Sequence, residues 1–319
     1  MDTTSPPVPT LDTRACEQAR LSRDARFDGL FFTAVTSTGI YCRPVCPAPT
    51  PRSTHVRYYA TAAAAEVAGF RPCLRCRPEL ARGNQAWQRG EHVVSRALTL
   101  IEGGVLDEQS LPQLAARLGV GARQLRRLFV ERLGAPPISV HTTRRLLFAK
   151  QLLTETALPV TEVALASGFG SLRRFNAAFA QANRMQPREL RRQPRAARGA
   201  ALVLRLGYRP PYDFESLLDF MRARALPGVE SVDEHSYARV FGPVDAPGWL
   251  RLSQWPDTQQ HALRLELVCP QPARMLDVVT RIRRMFDLDA DPQAIAATLG
   301  GDAILRPLLR KRAGLRLPG

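Results

Sequence analysis

The chain reads TGIYCRPVC at residues 38–46 and GFRPCLRC at residues 69–76. These stretches contain two closely spaced cysteine pairs, Cys42 with Cys46 and Cys73 with Cys76. Four thiolates at such spacing can close a tetrahedral site, and Zn2+ is the ion that this ligand set favours. Spacing alone favours an inert structural zinc ribbon, because most four-cysteine zinc sites are closed.

Arginines accompany both cysteine pairs. They lie within or beside the two stretches: Arg43, Arg52, Arg57, Arg71, Arg75 and Arg77. A guanidinium group binds phosphate oxygens in a bidentate manner. We therefore predict that Arg43, Arg71 and Arg75 contact the DNA backbone.

Positive charge is concentrated in the first two thirds of the chain. The 319 residues carry a formal net charge of +16. Residues 1–199 hold 29 Lys+Arg against 15 Asp+Glu, whereas residues 200–319 hold 16 against 14. This asymmetry predicts that the N-terminal portion binds nucleic acid and that the region after it has another role. The alternative is that the basic residues form an ordinary solvated surface.

The two remaining cysteines and the lengths of the apolar runs indicate the cellular compartment of the protein. Cys16 and Cys269 stand alone, so the cysteines do not form a disulfide framework. No apolar run approaches the roughly 18 residues of a membrane span, and the N-terminus lacks a signal-peptide pattern. We expect a cytoplasmic protein, associated with the bacterial nucleoid, without a membrane partner.

The region of the cysteines has the pattern of a small α/β domain at residues 1–82. Residues 1–10 are predicted to be disordered. A hairpin over 30–42 and a strand near Tyr58 precede a helix that Thr61 caps and that continues to Gly69. Residues 83–90 are interpreted as a linker.

Residues 91–193 have a helical pattern that contains two helix–turn–helix units in succession. In the first, Ser110 caps a helix, and Gly119 begins the turn; in the second, the turn is at 168–170. An amphipathic spacer over 138–153 separates them. Each second helix begins with polar residues, as a recognition helix in the major groove requires. The predicted DNA contacts are Arg123, Gln124 and Arg127 in one unit and Ser171, Arg173, Arg174 and Asn176 in the other. The alternative is an ordinary helical bundle.

After a basic linker at 191–199, the pattern becomes α+β, with an antiparallel sheet, over residues 200–319. Strands are predicted at 201–206, 229–241, 248–253 and 261–268. Helices are predicted from Asp213 through Arg224 and over 272–285, with short helical signals at 287–319. The fold class is therefore a multidomain α+β protein with a small zinc-bound domain and an all-α double helix–turn–helix domain.

The two cysteine stretches make residues 27–80 resemble the N-terminal domain of the Ada DNA-repair family. In that family all four cysteines bind zinc, and the first also takes a methyl group from a methylphosphotriester in the DNA backbone. The resemblance implies that Cys42 is the methyl acceptor and that Cys46, Cys73 and Cys76 complete the site.

Two further resemblances cover the rest of the chain. Residues 91–193 resemble the AraC-type DNA-binding domain, through GAPP at 134–137 and RRLLFAKQLL at 144–153. Residues 202–319 resemble the N-terminal domain of AlkA-type DNA-3-methyladenine glycosylases, through YRPPYDF at 208–214 and GLRLPG at 314–319. The catalytic helix-hairpin-helix half of AlkA follows this point, so we expect the glycosylase half to be missing.

Together these features predict a DNA alkylation-repair protein that also regulates transcription in the adaptive response. Cys42 would accept a methyl group irreversibly, which switches on sequence-specific DNA binding, with RNA polymerase as a further partner. Two alternatives stay open. One is a fragment of a bifunctional Ada/AlkA glycosylase, and the other is a zinc-dependent regulator without methyl transfer.

Overall fold

The computed structural model describes residues 12–81, 92–191 and 201–319. They group into two compact units, Met1–Arg145 and Leu146–Gly319. The division into three domains at 1–82, 91–193 and 200–319 stays a prediction. Residues 1–10, which are predicted to be disordered, and the predicted linker at 83–90 lie outside the described residues. Of the second predicted linker, at 191–199, the structure describes Arg191.

The first unit begins with a small sheet flanked by short helices. The sheet has the order β3-β1-β2-β4, in which β1 is antiparallel to β2 and β3, and β2 is parallel to β4. Its elements are α1 (Thr13–Ser22), β1 (Phe32–Val35), β2 (Ile40–Cys42), β3 (Val56–Tyr59), α2 (Ala62–Val67) and β4 (Arg71–Pro72).

The hairpin, the third strand and the Thr61 cap are confirmed. Thr61 Oγ1 accepts a hydrogen bond from Ala64 N at 3.0 Å, which satisfies one free N–H of the first turn of α2. Helix α1 and strand β4 were not predicted. The buried apolar side chains of α1 that pack in the core are small, Cys16 and Ala19 against Phe31, so the helix has little hydrophobic pattern.

The first unit continues with helices that share one core. They are α3 (His92–Glu102), α4 (Val105–Glu108), α5 (Leu111–Arg117), α6 (Ala122–Leu133) and α7 (Pro137–Glu155), the last of which crosses into the second unit. Ile101, Leu114, Leu125 and Phe129 are almost completely buried in this core. Burial of these side chains fixes α5 and α6 against each other and leaves the polar face of α6 in solvent.

The second unit combines helices with a five-stranded antiparallel sheet of order β5-β9-β8-β7-β6. Its elements are α8 (Val160–Ala166), α9 (Leu172–Asn183), α10 (Pro187–Leu190), β5 (Leu202–Gly207), α11 (Phe214–Arg222), β6 (Glu230–Val232), β7 (Ser236–Phe241), β8 (Gly248–Gln254), β9 (Ala262–Val268), α12 (Met275–Met285), α13 (Pro292–Leu299) and α14 (Leu305–Lys311).

The predicted fold class is confirmed, including the C-terminal antiparallel sheet. Strand β8 alternates buried Leu250 and Leu252 with exposed Trp249 and Arg251, as expected for a sheet with one covered face. Asp213 caps α11 by accepting from Ser216 N at 3.0 Å. Among the described residues, no helix is both long and apolar enough to cross a lipid bilayer.

Candidate metal centre and helix–turn–helix units

Two parallel strands bring the cysteine pairs together. Strand β2 ends at Cys42, and β4 leads directly into Cys73. Tyr41 pairs with Pro72 across these strands, and Cys73 N donates to Tyr41 O at 3.0 Å. This pairing sets the two loops that follow the strands side by side, although 31 positions separate Cys42 from Cys73 in the chain.

The ligand atoms of Cys42, Cys46, Cys73 and Cys76 all lie within 4.8 Å of one another. A tetrahedral zinc site with bonds of about 2.3 Å places its sulfurs about 3.8 Å apart. The cluster therefore fits a four-thiolate metal site. Cys73 and Cys76 are buried, whereas Cys42 and Cys46 are half-buried and reach the surface.

The four thiols lie close enough together to shift one another's pKa values. Hydrogen bonding with neighbouring thiols holds the pKa of Cys42 and of Cys76 above the usual cysteine value. The same neighbours hold the pKa of Cys46 and of Cys73 below it. Cysteine binds a metal as the thiolate, so binding of a cation would release the protons of these thiols.

Backbone N–H groups point at three of the four sulfurs. Arg43 N lies 3.3 Å from Cys76 Sγ, and Arg75 N lies 3.4 Å from Cys73 Sγ. A hydrogen bond from the backbone of Ala48 lowers the pKa of Cys46. Within the described residues, Cys42 Sγ receives no such bond. Hydrogen bonds from N–H groups stabilise a thiolate, so the surroundings of Cys42 Sγ differ from those of the other three sulfurs.

Arg43 braces the cysteine loops. Its Nε donates to Asp28 Oδ1 at 2.8 Å, and its Nη1 donates to Cys76 O at 3.0 Å. Asp28 is completely buried. This role was missed, because an aspartate 14 positions before Cys42 has no spacing signal. Contact of Arg43 with DNA stays a prediction, although its guanidinium is engaged inside the protein.

The other two predicted DNA contacts near the metal centre are more accessible. Arg75 is exposed beside Cys76, and Arg71 is half-buried on β4. Arg57 is also exposed, on the edge strand β3. These three arginines place positive charge, which attracts phosphate, close to the cysteine cluster. With one Zn2+ bound, the cluster itself would carry a formal charge of −2.

The first helix–turn–helix unit consists of α5 and α6. Ser110 and Gln113 form a capping box that starts α5, with Ser110 N donating to Gln113 Oε1 at 2.7 Å. Gly119 turns the chain at φ +71° before α6 begins. The predicted contacts Arg123, Gln124 and Arg127 are all exposed on α6.

The second unit consists of α8 and α9. Ser171 caps α9, its side chain accepting from Arg174 N at 3.5 Å. Arg173 and Arg174 are exposed, and Asn176 is half-buried. Ser171 therefore has a structural role at the start of the helix, and its contact with DNA stays a prediction, as do those of the other three residues.

Three family models match the chain in succession. The metal binding domain of Ada matches residues 15–79, a helix-turn-helix domain matches 114–193, and the AlkA N-terminal domain matches 203–319. The chain joins Ada-type and AlkA-type domains. The Ada-type region contains the cysteine cluster and the AlkA-type region contains the five-stranded sheet.

Relatives with such domains carry names from DNA repair. The chain is 39% identical over 313 residues to the "Probable bifunctional transcriptional activator/DNA repair enzyme AlkA" of Mycobacterium tuberculosis, covering 96% of this chain and 62% of the relative. It is 39% identical to the "Bifunctional transcriptional activator/DNA repair enzyme Ada" of Escherichia coli K12, over 38% of this chain and 32% of the relative. The chain thus spans less than two thirds of both.

A solved structure resembles the Ada-type region. It is the DNA methyl phosphotriester repair domain of Escherichia coli Ada. The match is 44% identical and covers 23% of this chain and 78% of that chain, with a TM-score of 0.21.

Proposed function

We propose that this protein is a stoichiometric DNA-repair methyltransferase and a transcription regulator. Cys42 takes the methyl group from a methylphosphotriester in DNA, and the methylated protein binds specific promoter sites through α6 and α9. The observation that carries the proposal is the cysteine cluster, in which Cys42 alone among the four sulfurs is free of backbone N–H bonds in the described structure.

The reaction follows from the chemistry of the thiolate. A bound Zn2+ would keep the four cysteine thiols deprotonated at neutral pH. Cys42 Sγ attacks the methyl carbon in line, an S–C bond forms, and the C–O bond breaks with its electron pair moving to the phosphate. The leaving group is a phosphodiester anion, so no general base is required. The thioether is not reversed, and each chain therefore reacts once.

Methyl transfer also changes the charge of the site. With Zn2+ bound, four thiolates would give the cluster a formal charge of −2, and conversion of Cys42 to a thioether would change that charge to −1. Repulsion with DNA phosphates falls, so binding to DNA tightens. Recruitment of RNA polymerase by the DNA-bound form and a place at the bacterial nucleoid complete the proposal.

Mass spectrometry of the whole protein tests this function. After incubation with DNA that carries methylphosphotriesters, the protein should gain one methyl group, located on Cys42. An unmodified protein that still binds zinc and DNA would instead support a binding-only regulator.

The recognition helices lead to a prediction about specificity. Arg127→Ala and Arg174→Ala should each relax selectivity at one base position, by about 1–3 kcal/mol per bidentate contact. Arg127 forms a 3.7 Å ion pair with Glu131, and both side chains are exposed. Competition binding with a library of operator variants measures the effect.

Arg188 on α10 is a matched control, since it is exposed and lies outside both recognition helices. Arg188→Ala should leave the base preference unchanged. Equal weakening on every sequence after Arg127→Ala would mean that Arg127 contacts phosphate and does not read a base.

The second candidate is a bifunctional glycosylase of which this chain is one part. The names and lengths of the relatives favour it, because the chain covers 62% of the Mycobacterium tuberculosis protein. The AlkA-type region has a cavity of about 560 Å³ with an arginine-rich lining. The one acidic side chain in that lining, Asp277, is paired with Arg281 at 3.0 Å.

We expect that the 319-residue protein does not excise 3-methyladenine. Excision requires a carboxylate that faces the sugar of an extruded nucleotide and a pocket that stacks the base. Asp277 is engaged by Arg281, and Asp213 caps α11. Release of methylated bases measured by chromatography should equal a buffer blank. Release above the blank that is lost on deleting residues 200–319 would disprove this prediction.

A further inference from the structure

Helix α2 of the Ada-type region contacts the end of recognition helix α6. Thr61, the N-cap of α2, donates from Oγ1 to Leu133 O at 2.9 Å. Gly134 follows α6 at φ +72°, and a Cβ there would approach Ala64 Cβ to 2.9 Å. Both the backbone conformation and the close approach of α2 therefore require glycine. All of these contacts lie within the first compact unit.

Glu66, at the other end of α2, joins the metal-binding sheet to α7. Tyr41 OH donates to Glu66 Oε1 at 2.9 Å, and Thr143 Oγ1 donates to Glu66 Oε2 at 2.6 Å. Tyr41 is completely buried and directly precedes Cys42, and Thr143 is 6% exposed. Glu66 itself is half-buried between these two buried partners, where a carboxylate can accept strong hydrogen bonds. We call this chain of contacts the Glu66 bridge: Tyr41, Glu66 and Thr143.

The bridge and the α2–α6 contact hold one short helix at both ends. Thr61 and Ala64 fix the start of α2 to the end of α6, and Glu66 fixes its last turn to α7. On the opposite side, Tyr41 fixes the same helix to the strand that ends at Cys42. These contacts join the metal centre to the first recognition helix through α2.

We propose that Glu66 is a positioning residue that fixes Cys42 relative to α6, so that the methyl acceptor and the first recognition helix engage one DNA segment in a fixed register. The inference rests on the proposed function for its DNA ligand. A pre-ordered pair of contact surfaces avoids the entropy cost of ordering them upon binding, so the bridge raises operator affinity without contacting DNA itself.

Variants of the full 319-residue protein separate this role from the chemistry. Thr143→Val and Glu66→Ala remove the hydrogen bond between Thr143 and Glu66. Glu66→Gln keeps it, because the amide can accept from Tyr41 through its oxygen and donate to Thr143 through its nitrogen. Metal content, methyl transfer to DNA without an operator, and operator affinity of the methylated protein are measured for each variant.

For Thr143→Val we expect wild-type metal content and methyl transfer within about twofold of wild type. Its operator affinity should fall about tenfold, the size expected for loss of one hydrogen bond to a charged group. Glu66→Ala should also weaken operator binding, and Glu66→Gln should restore it. Wild-type operator affinity in both Thr143→Val and Glu66→Ala, or equal weakness of Glu66→Gln and Glu66→Ala, would overturn the proposal.

Hydrogen exchange tests the bridge independently of methyl transfer. In the wild-type protein, removal of metal by a chelator should increase amide exchange over residues 137–145, because α7 loses its contact with the metal-binding sheet. In Thr143→Val these amides should already exchange faster and respond less to the chelator. Unchanged exchange in the wild type upon chelation would contradict the positioning role of the Glu66 bridge. A wild-type protein that accepts no methyl group would contradict only the proposed function.

Discussion

Replacing Cys42 by serine is expected to abolish methyl transfer. Serine has the size of cysteine, but its hydroxyl is protonated at neutral pH and is a far weaker nucleophile than a zinc thiolate. The other three sulfurs should not substitute for it. Cys73 and Cys76 are buried and receive N–H bonds from Arg75 and Arg43, and Cys46 is bonded by Ala48.

Peptide mass spectrometry after reaction with methylphosphotriester DNA measures this effect. Cys269→Ser is the matched control, since Cys269 is a half-buried cysteine outside the cluster whose thiol donates to Gln271 O at 3.3 Å. The control should accept one methyl group at the wild-type rate. A methyl group on Cys46 or Cys76 of either protein would overturn the assignment of Cys42.

Cys73→Ser is expected to lose the metal and unfold much of the region at residues 12–81. Metal binding by four-cysteine sites contributes about 10–16 kcal/mol of apparent free energy, which in small domains is folding free energy. The buried apolar side of α2 consists of alanines, and Cys73 and Cys76 are themselves part of the core. Without the metal, this region depends on a small core of about 70 residues of chain, too small to be stable without a further cross-link.

Elemental analysis and hydrogen exchange measure this outcome, with one Zn2+ per wild-type chain as the reference. Cys16→Ala is the matched control, because Cys16 is equally buried in the same region but lies outside the cluster. It should retain the metal at a cost of about 1 kcal/mol in stability. Wild-type metal content in Cys73→Ser would remove Cys73 from the ligand set.

The sequence by itself determined the features that depend on local pattern. Caps at Thr61, Ser110 and Asp213 were predictable because a side-chain oxygen binds N–H groups two or three residues away. The helix–turn–helix units and the C-terminal strands were predictable from the period of their apolar residues. The paired cysteines were predictable as a metal site because their spacing alone indicates shared coordination.

Only the tertiary structure decided which groups surround those residues. The Arg43–Asp28 pair and the Glu66 bridge join positions that are distant in the chain. The N–H groups that point at three of the sulfurs depend on how the cysteine loops fold. Such contacts leave no periodicity in the sequence, because strand pairing and helix packing bring them together. For this reason the four-cysteine cluster was evident from the sequence, whereas the different surroundings of Cys42 and the link from Tyr41 to Thr143 required the folded chain.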